Sequence, residues 1–192
     1  MSDAHASALL HIDREAGVFR VARRAFIDNA VFETERARIF DKCWLYVGHI
    51  SELPKKGSFV TRAVGGRNVI FNRDAAGEFH AFLNSCPHRG SMVCREAAGT
   101  TKNFTCSYHG WVFGADGKLR DLPGIESYPE GFNENGRANL VPVPRLEQYR
   151  GLWFVCFDVA AIPLAEYLAG PAPGNPVQRQ RVVPVDSRQR QD

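Results

Sequence analysis

Residues 86–111 read C-P-H-R-G-S-M-V-C-R-E-A-A-G-T-T-K-N-F-T-C-S-Y-H-G-W, with a short box at each end. The first box is Cys86-Pro87-His88-Arg89-Gly90 and the second is Cys106-Ser107-Tyr108-His109-Gly110-Trp111; seventeen residues separate His88 from Cys106. Each box offers one thiol and one imidazole, and a glycine follows each histidine closely. Glycine lets the chain double back tightly, and in such a turn backbone N–H groups can point at a sulfur. Two tight loops, each with half of a ligand set, need a stiff frame to hold them opposite one another.

The flanking sequence predicts that frame as short strands. Ser58–Val64 alternates, Gly65-Gly66 is a hairpin signal, and Asn68–Asn72 reads as the return strand. Asp74–Gly77 forms a turn before Phe79–Leu83. On the far side of the second box, Trp111–Phe113, the Asp116-Gly117 turn and Leu119 make a small hairpin, and Leu140–Leu146 and Leu152–Phe157 flank Gly151 as a final pair. Before the strands, Asp28 to about Cys43 reads as a helix: Asp28 caps it, and Phe32, Ile39, Phe40 and Cys43 recur at helical spacing opposite Glu33, Glu35, Arg36 and Arg38. The predicted fold is mainly β, an antiparallel β-sandwich with an N-terminal helix. Residues 1–25 read as a loosely docked arm, 26–170 as the domain, and 171–192 as a disordered or frameshifted tail, in which four prolines alternate with four arginines and four glutamines.

Cys86, His88, Cys106 and His109 are the candidate metal ligands. A zinc site uses the same ligand set. Zinc fingers, however, commonly pair cysteine with cysteine and histidine with histidine within each half. Here each half mixes the two, which suits a binuclear centre in which two cysteines hold one iron of a [2Fe–2S] cluster and two histidines hold the other, the Rieske arrangement. Neutral imidazoles in place of thiolates lower the negative charge of the cluster, so reduction costs less than in all-cysteine ferredoxins.

The pair C-P-H-R-G and C-S-Y-H-G-W closely resembles the Rieske domain of the α subunit of aromatic ring-hydroxylating dioxygenases, over roughly residues 26–168. The Phe40–Gly48 lead-in with Trp44 and the Gly151-Leu152-Trp153 strand belong to the same likeness. That resemblance implies a chain that accepts electrons from a ferredoxin or reductase and passes them, through His109, to a mononuclear Fe(II) in a neighbouring subunit. It also implies other α and β oxygenase subunits as partners. Respiratory Rieske proteins differ: they tie their two loops with a disulfide at positions matched here by Ser91 and Tyr108. They also place hydroxyls near the cluster where this chain has Trp111 and Phe113. Hydrogen bonds to cluster sulfur raise the potential, so their absence implies the low end of the Rieske range.

The mononuclear iron of that family needs a 2-His-1-carboxylate triad, yet no histidine follows His109. No residue of this chain is therefore assigned a catalytic role, and the sequence reads as truncated before the mononuclear iron domain. His5, His11, His49 and His80 are scattered and read as surface or core residues. Glu33 and Glu35 read as a solvated helix face, Cys94 as a packed cysteine rather than a reactive thiol, and Cys43 and Cys156 as core. Arg89 reads equally as a partner contact or a solvated charge.

The bulk numbers exclude other classes. The net charge of +3 comes mostly from the last residues, where Arg179, Arg181, Arg188 and Arg190 face only Asp186 and Asp192, so no nucleic-acid or membrane footprint is visible. The longest apolar run, Leu152–Phe157, is far short of the roughly 20 residues that span a bilayer. Five cysteines, two of them with a better use than disulfides, indicate a reducing, cytoplasmic setting. The alternatives to the oxygenase reading are a stand-alone Rieske electron carrier and, for contrast, a zinc-stabilised interaction module.

Overall fold

The computed structural model describes residues 9–169. Its centre is an antiparallel sheet in the order β6–β5–β4–β7, built from β4 (Ser58–Val64), β5 (Arg67–Arg73), β6 (Phe79–Leu83) and β7 (Ala98–Thr100). Gly65 and Gly66 both adopt positive φ, 56° and 76°, and the β4–β5 ladder runs from Val64↔Arg67 to Phe59↔Asn72. Two consecutive left-handed residues give the turn whose twist matches the strands it joins.

This sheet is buried on both faces, which is why β5 reads Val-Ile-Phe without polar alternation. Val69 and Phe71 face one core, with Val47, Val60, Val64, Ala81, Val143 and Val155. Ile70 faces the other, with Phe59, Phe82, Phe104, Trp111 and Phe113. Against the first core lies a sheet ordered β11–β12–β3: β3 (Leu45–His49), β11 (Arg145–Tyr149) and β12 (Leu152–Cys156). Against the second lies the smaller sheet β10–β9–β8: β8 (Asn103–Thr105), β9 (Val112–Gly114) and β10 (Leu119–Asp121). The mainly β expectation holds, as three stacked layers.

Within the stretch read as a loosely docked arm, residues 10–21 form a hairpin, with β1 (Leu10–Asp13) paired to β2 (Val18–Val21). A short helix α1 (Arg24–Ile27) precedes α2 (Asn29–Glu35), whose cap is Asp28: its Oδ1 accepts from Ala30 N at 2.8 Å. The helix expected to run to Cys43 passes at Glu35 into a π-helical turn, Arg36–Phe40, and stops. Ile39, placed on the buried stripe by its spacing, is 54% exposed. The strand expected at Leu140–Leu146 is mostly absent because Pro142 and Pro144 carry no N–H for a ladder. Only the Phe82↔Pro142 bridge forms there, and regular pairing begins at Arg145. A last helix, α3 (Leu164–Leu168), seats Leu164 against Trp44 and Cys156. The tail read as disordered lies outside the described residues.

Candidate metal centre

The two boxes project from the ends of strands and close in the same way. In the first, Cys86 N donates to Ser91 O and Gly90 N to Cys86 O, both at 2.8 Å; in the second, Cys106 N donates to Trp111 O at 2.8 Å and Gly110 N to Cys106 O at 2.9 Å. Gly90 and Gly110 sit in the left-handed region, φ 72° and 69°, which favours glycine. A Cβ on Gly110 would also press on the Pro123 ring at 3.1 Å. The second box is the turn of the β8–β9 hairpin, bracketed by the Thr105↔Val112 pair. The first follows β6 directly.

The candidate ligands come together as two pairs between these loops, Cys86 with Cys106 and His88 with His109. Cys86 and Cys106 are buried, at 3% and 1% exposure, with their thiols in contact. Burial pushes the Cys86 thiol up; the backbone N–H groups of His88 and Arg89, aimed at its sulfur, oppose this, and the neighbouring Cys106 adds to it. The rings of His88 and His109 meet edge to face, centroids 4.7 Å apart. Both Nδ1 atoms are buried without a hydrogen-bond partner. A buried acceptor left unpaired costs about 1–3 kcal/mol, so two of them side by side mark a place where something else binds. Burial, followed by His88 and Arg89 nearby, lowers the His109 pKa and favours the neutral ring, the form that ligates a metal.

The donor set comes as two plus two: a pair of thiols and a pair of imidazole nitrogens. That donor chemistry fits a [2Fe–2S] group of the Rieske kind, in which two cysteines hold one iron and two histidines the other.

Aromatic rings fix the histidines. His88 lies flat on Trp111, centroids 4.9 Å apart and planes within 2°. Tyr108 covers His109 at 3.8 Å. Beside His88 opens a groove of about 570 Å³, lined by Trp111, Tyr128, Phe132 and Arg137 among others. The sequence offered only a weak sign of it, aromatics in a Gly- and Pro-rich stretch without strand pattern.

The remaining candidates stay apart from this centre. His11 lies on β1, His49 Nδ1 is 2.7 Å from Ser51 Oγ, and His80 Nε2 is 3.0 Å from Asp74 Oδ2; His5 lies outside the described residues. Cys94 is packed, and its thiol, pushed up to about 11 by burial and then by Glu96, is inert at neutral pH. Cys156 is core, whereas Cys43 is only half-buried because it precedes the first paired residue of β3. Glu33 pairs with Arg36 on the helix surface, and Arg89 is exposed. All five cysteines are free.

Comparison with known proteins agrees with this geometry. A family profile described as Rieske [2Fe-2S] domain matches residues 43–150. Toluate 1,2-dioxygenase subunit alpha from Pseudomonas putida is 36% identical over 163 residues, 84% of this chain and 36% of the relative. The structure of a naphthalene 1,2-dioxygenase from Rhodococcus sp. bound to indole superposes with a TM-score of 0.67 at 38% identity, over 73% of this chain and 32% of that one. A quaternary ammonium Rieske monooxygenase gives a TM-score of 0.67 at 34% identity, covering 77% of this chain and 40% of that chain. The chain thus spans about a third of the length of the curated relatives it matches. It belongs to the Rieske [2Fe–2S] domain family and corresponds to the Rieske part of ring-hydroxylating dioxygenase large subunits.

Proposed function

We propose that this chain is the electron-transfer part of an aromatic ring-hydroxylating dioxygenase α subunit, with Cys86 and Cys106 holding one iron and His88 and His109 the other. The carrying observation is the pair of buried, unpartnered Nδ1 atoms beside two buried thiols. When bound, a Rieske cluster supplies a one-electron carrier with fully ligated irons. The protein supplies the rest. Loop closure around Gly90 and Gly110 holds the thiolates at fixed separation, and backbone N–H groups of His88 and Arg89 offset the charge on the Cys86 sulfur. Trp111 and Tyr108 orient the imidazoles, whose half-exposed rings turn their other edges outward.

In the assembly we assign to it, the chain takes an electron from a ferredoxin or reductase and hands it on through His109. The acceptor is mononuclear Fe(II) in a second domain of another α subunit, with β subunits as further partners. The Rieske unit is assigned to residues 26–170, with 1–25 as an N-terminal arm. A cytoplasmic setting accords with five free thiols; no helix of the described residues is long and apolar enough to cross a membrane. The test is a redox titration of the iron-loaded chain near neutral pH. One reversible electron per cluster with a midpoint below roughly +100 mV supports the oxygenase role, within a Rieske range of about −150 to +300 mV. A midpoint well above that value argues for a respiratory-type carrier instead.

A further inference from the structure

The two loops share one hydrogen-bond pattern but not one support. The second is bracketed by paired strands, Thr105↔Val112. The first has a strand on its incoming side only: β6 ends at Leu83, and residues 91–97 belong to no strand. In place of a ladder stands one side chain. Asn84 is buried at 5% exposure, and its carboxamide Oδ1 accepts from Val93 N at 3.1 Å and from Cys94 N at 2.9 Å. Its Nδ2 donates to Cys94 O at 2.7 Å, while its own backbone N–H donates to Asn68 O at 2.8 Å on β5. The outgoing segment is then tied to β4, where Thr61 Oγ1 donates to Glu96 O at 2.8 Å and Thr61 N to Ala97 O at 2.8 Å. The ring from β5 through Asn84, Cys94 and Thr61 back to the same sheet closes through that amide; nearer the turn, Cys86 N also donates to Ser91 O at 2.8 Å. The neighbouring Ser85 Oγ reaches Gly90 O at 3.2 Å, inside the turn itself, and does not touch the outgoing segment.

From this we infer that Asn84 is a positioning residue for the cluster: its amide stands in for the missing strand pair and holds Cys86 and His88 opposite Cys106 and His109. This inference rests on the ligand assignment proposed for those four residues and goes beyond it. An amide suits the task because it supplies acceptor and donor together. Buried backbone groups are left unpaired if either is removed. The expected consequence is local, a loosened first loop beside an intact second one.

The experiment compares the parent with Asn84→Ala and Asn84→Asp, measuring iron release to a chelator and amide hydrogen exchange with and without bound iron. For Asn84→Ala, iron release should rise on the order of tenfold, since each lost buried partner weakens closure of the loop. Exchange should speed up in 86–94 while 104–113 keep parent rates. Asn84→Asp keeps the acceptor oxygen but sets a second oxygen against Cys94 O in a buried site, so it should also release iron faster than the parent, with the faster exchange again confined to 86–94. Parent-like iron release in Asn84→Ala, or faster exchange spread evenly over both loops and the sheets, would overturn the inference and reduce Asn84 to a general stability residue. Should Asn84→Ala be recovered only unfolded, Asn84→Gln, which displaces the same amide on a longer stem, is read for the same two outcomes. A parent chain without iron and labile sulfide would overturn the ligand assignment itself, and that result is separate from any difference among the variants.

Discussion

Trp111 lies flat against His88, and behind it Phe113 is wholly buried, so apolar rings line the part of the site where respiratory relatives carry hydroxyls. Without those donors the reduced, more negative state gains less stabilisation. Replacing both, Trp111→Ser with Phe113→Tyr, should raise the midpoint above that of the parent, read by redox titration at one pH. The same change removes a packed indole, costing about 3–5 kcal/mol as large-to-small core substitutions do, so urea denaturation should show a clear loss of stability alongside the higher potential. Cys94→Ala should leave the visible and magnetic spectra of the cluster unchanged, because its thiol points at Glu96 and not at the paired ligands. Loss of the cluster there would break the ligand assignment. At this scale the boxes were legible because cysteine, histidine and glycine have few other reasons to recur at such spacing. Asn84 was not, since a buried asparagine is recognisable only once its partners nine and ten residues away are folded beside it.

Among the elements, the N-terminal hairpin stands out. Its register pairs Leu10 with Val21 and Ile12 with Phe19, which places four apolar side chains on one face, all exposed. An isolated two-stranded hairpin is marginal in water, so removing residues 1–22 should leave the unfolding transition of the domain nearly unchanged and reduce self-association measured by light scattering. Next along the chain, Asp41 and Arg67 form a two-point ion pair, with one contact at 3.0 Å, and the guanidinium also lies over Phe157 at 4.3 Å. Arg67→Ala should cost about 1–2 kcal/mol by urea denaturation, more than a solvated surface pair, because the geometry is bidentate and half-buried. Strand β4 was readable from its alternation, β5 as the return strand of the Gly65-Gly66 turn, and β6 from the Asp74–Gly77 turn before it. The end of the long helix was not: a helical period says where apolar residues point, not whether anything covers them. Ile39 keeps the period and faces solvent. Strands β7 and β8 are three residues each, too short for any period to register.

Across the whole molecule, three β layers bury both faces of one sheet and bring the two loops together at its edge. Acid should weaken this frame at Asp74. Burial pushes that carboxyl up, but hydrogen bonds from His80 and from the backbone of Glu78 and Gly77 outweigh it and hold the pKa below the ordinary value. A depressed carboxylate contributes stability that is full above its unfolded value of about 3.9 and is lost as pH falls through the folded value. Asp74→Asn should therefore flatten the fall in unfolding free energy below about pH 4, measured by urea titration over pH. Supplied with electrons, the 192-residue chain should be reducible and yet hydroxylate no aromatic compound, since Rieske irons are fully ligated and, among the described residues, His11, His49 and His80 are not gathered into an open iron site. Product formed by this chain alone would reopen those residues. The most direct test is composition and spectrum together on protein purified anaerobically. A Rieske centre on Cys86, His88, Cys106 and His109 should give about two irons and two acid-labile sulfides per chain, and on reduction the low average g-value of mixed nitrogen and sulfur ligation. One zinc per chain with no labile sulfide would contradict it.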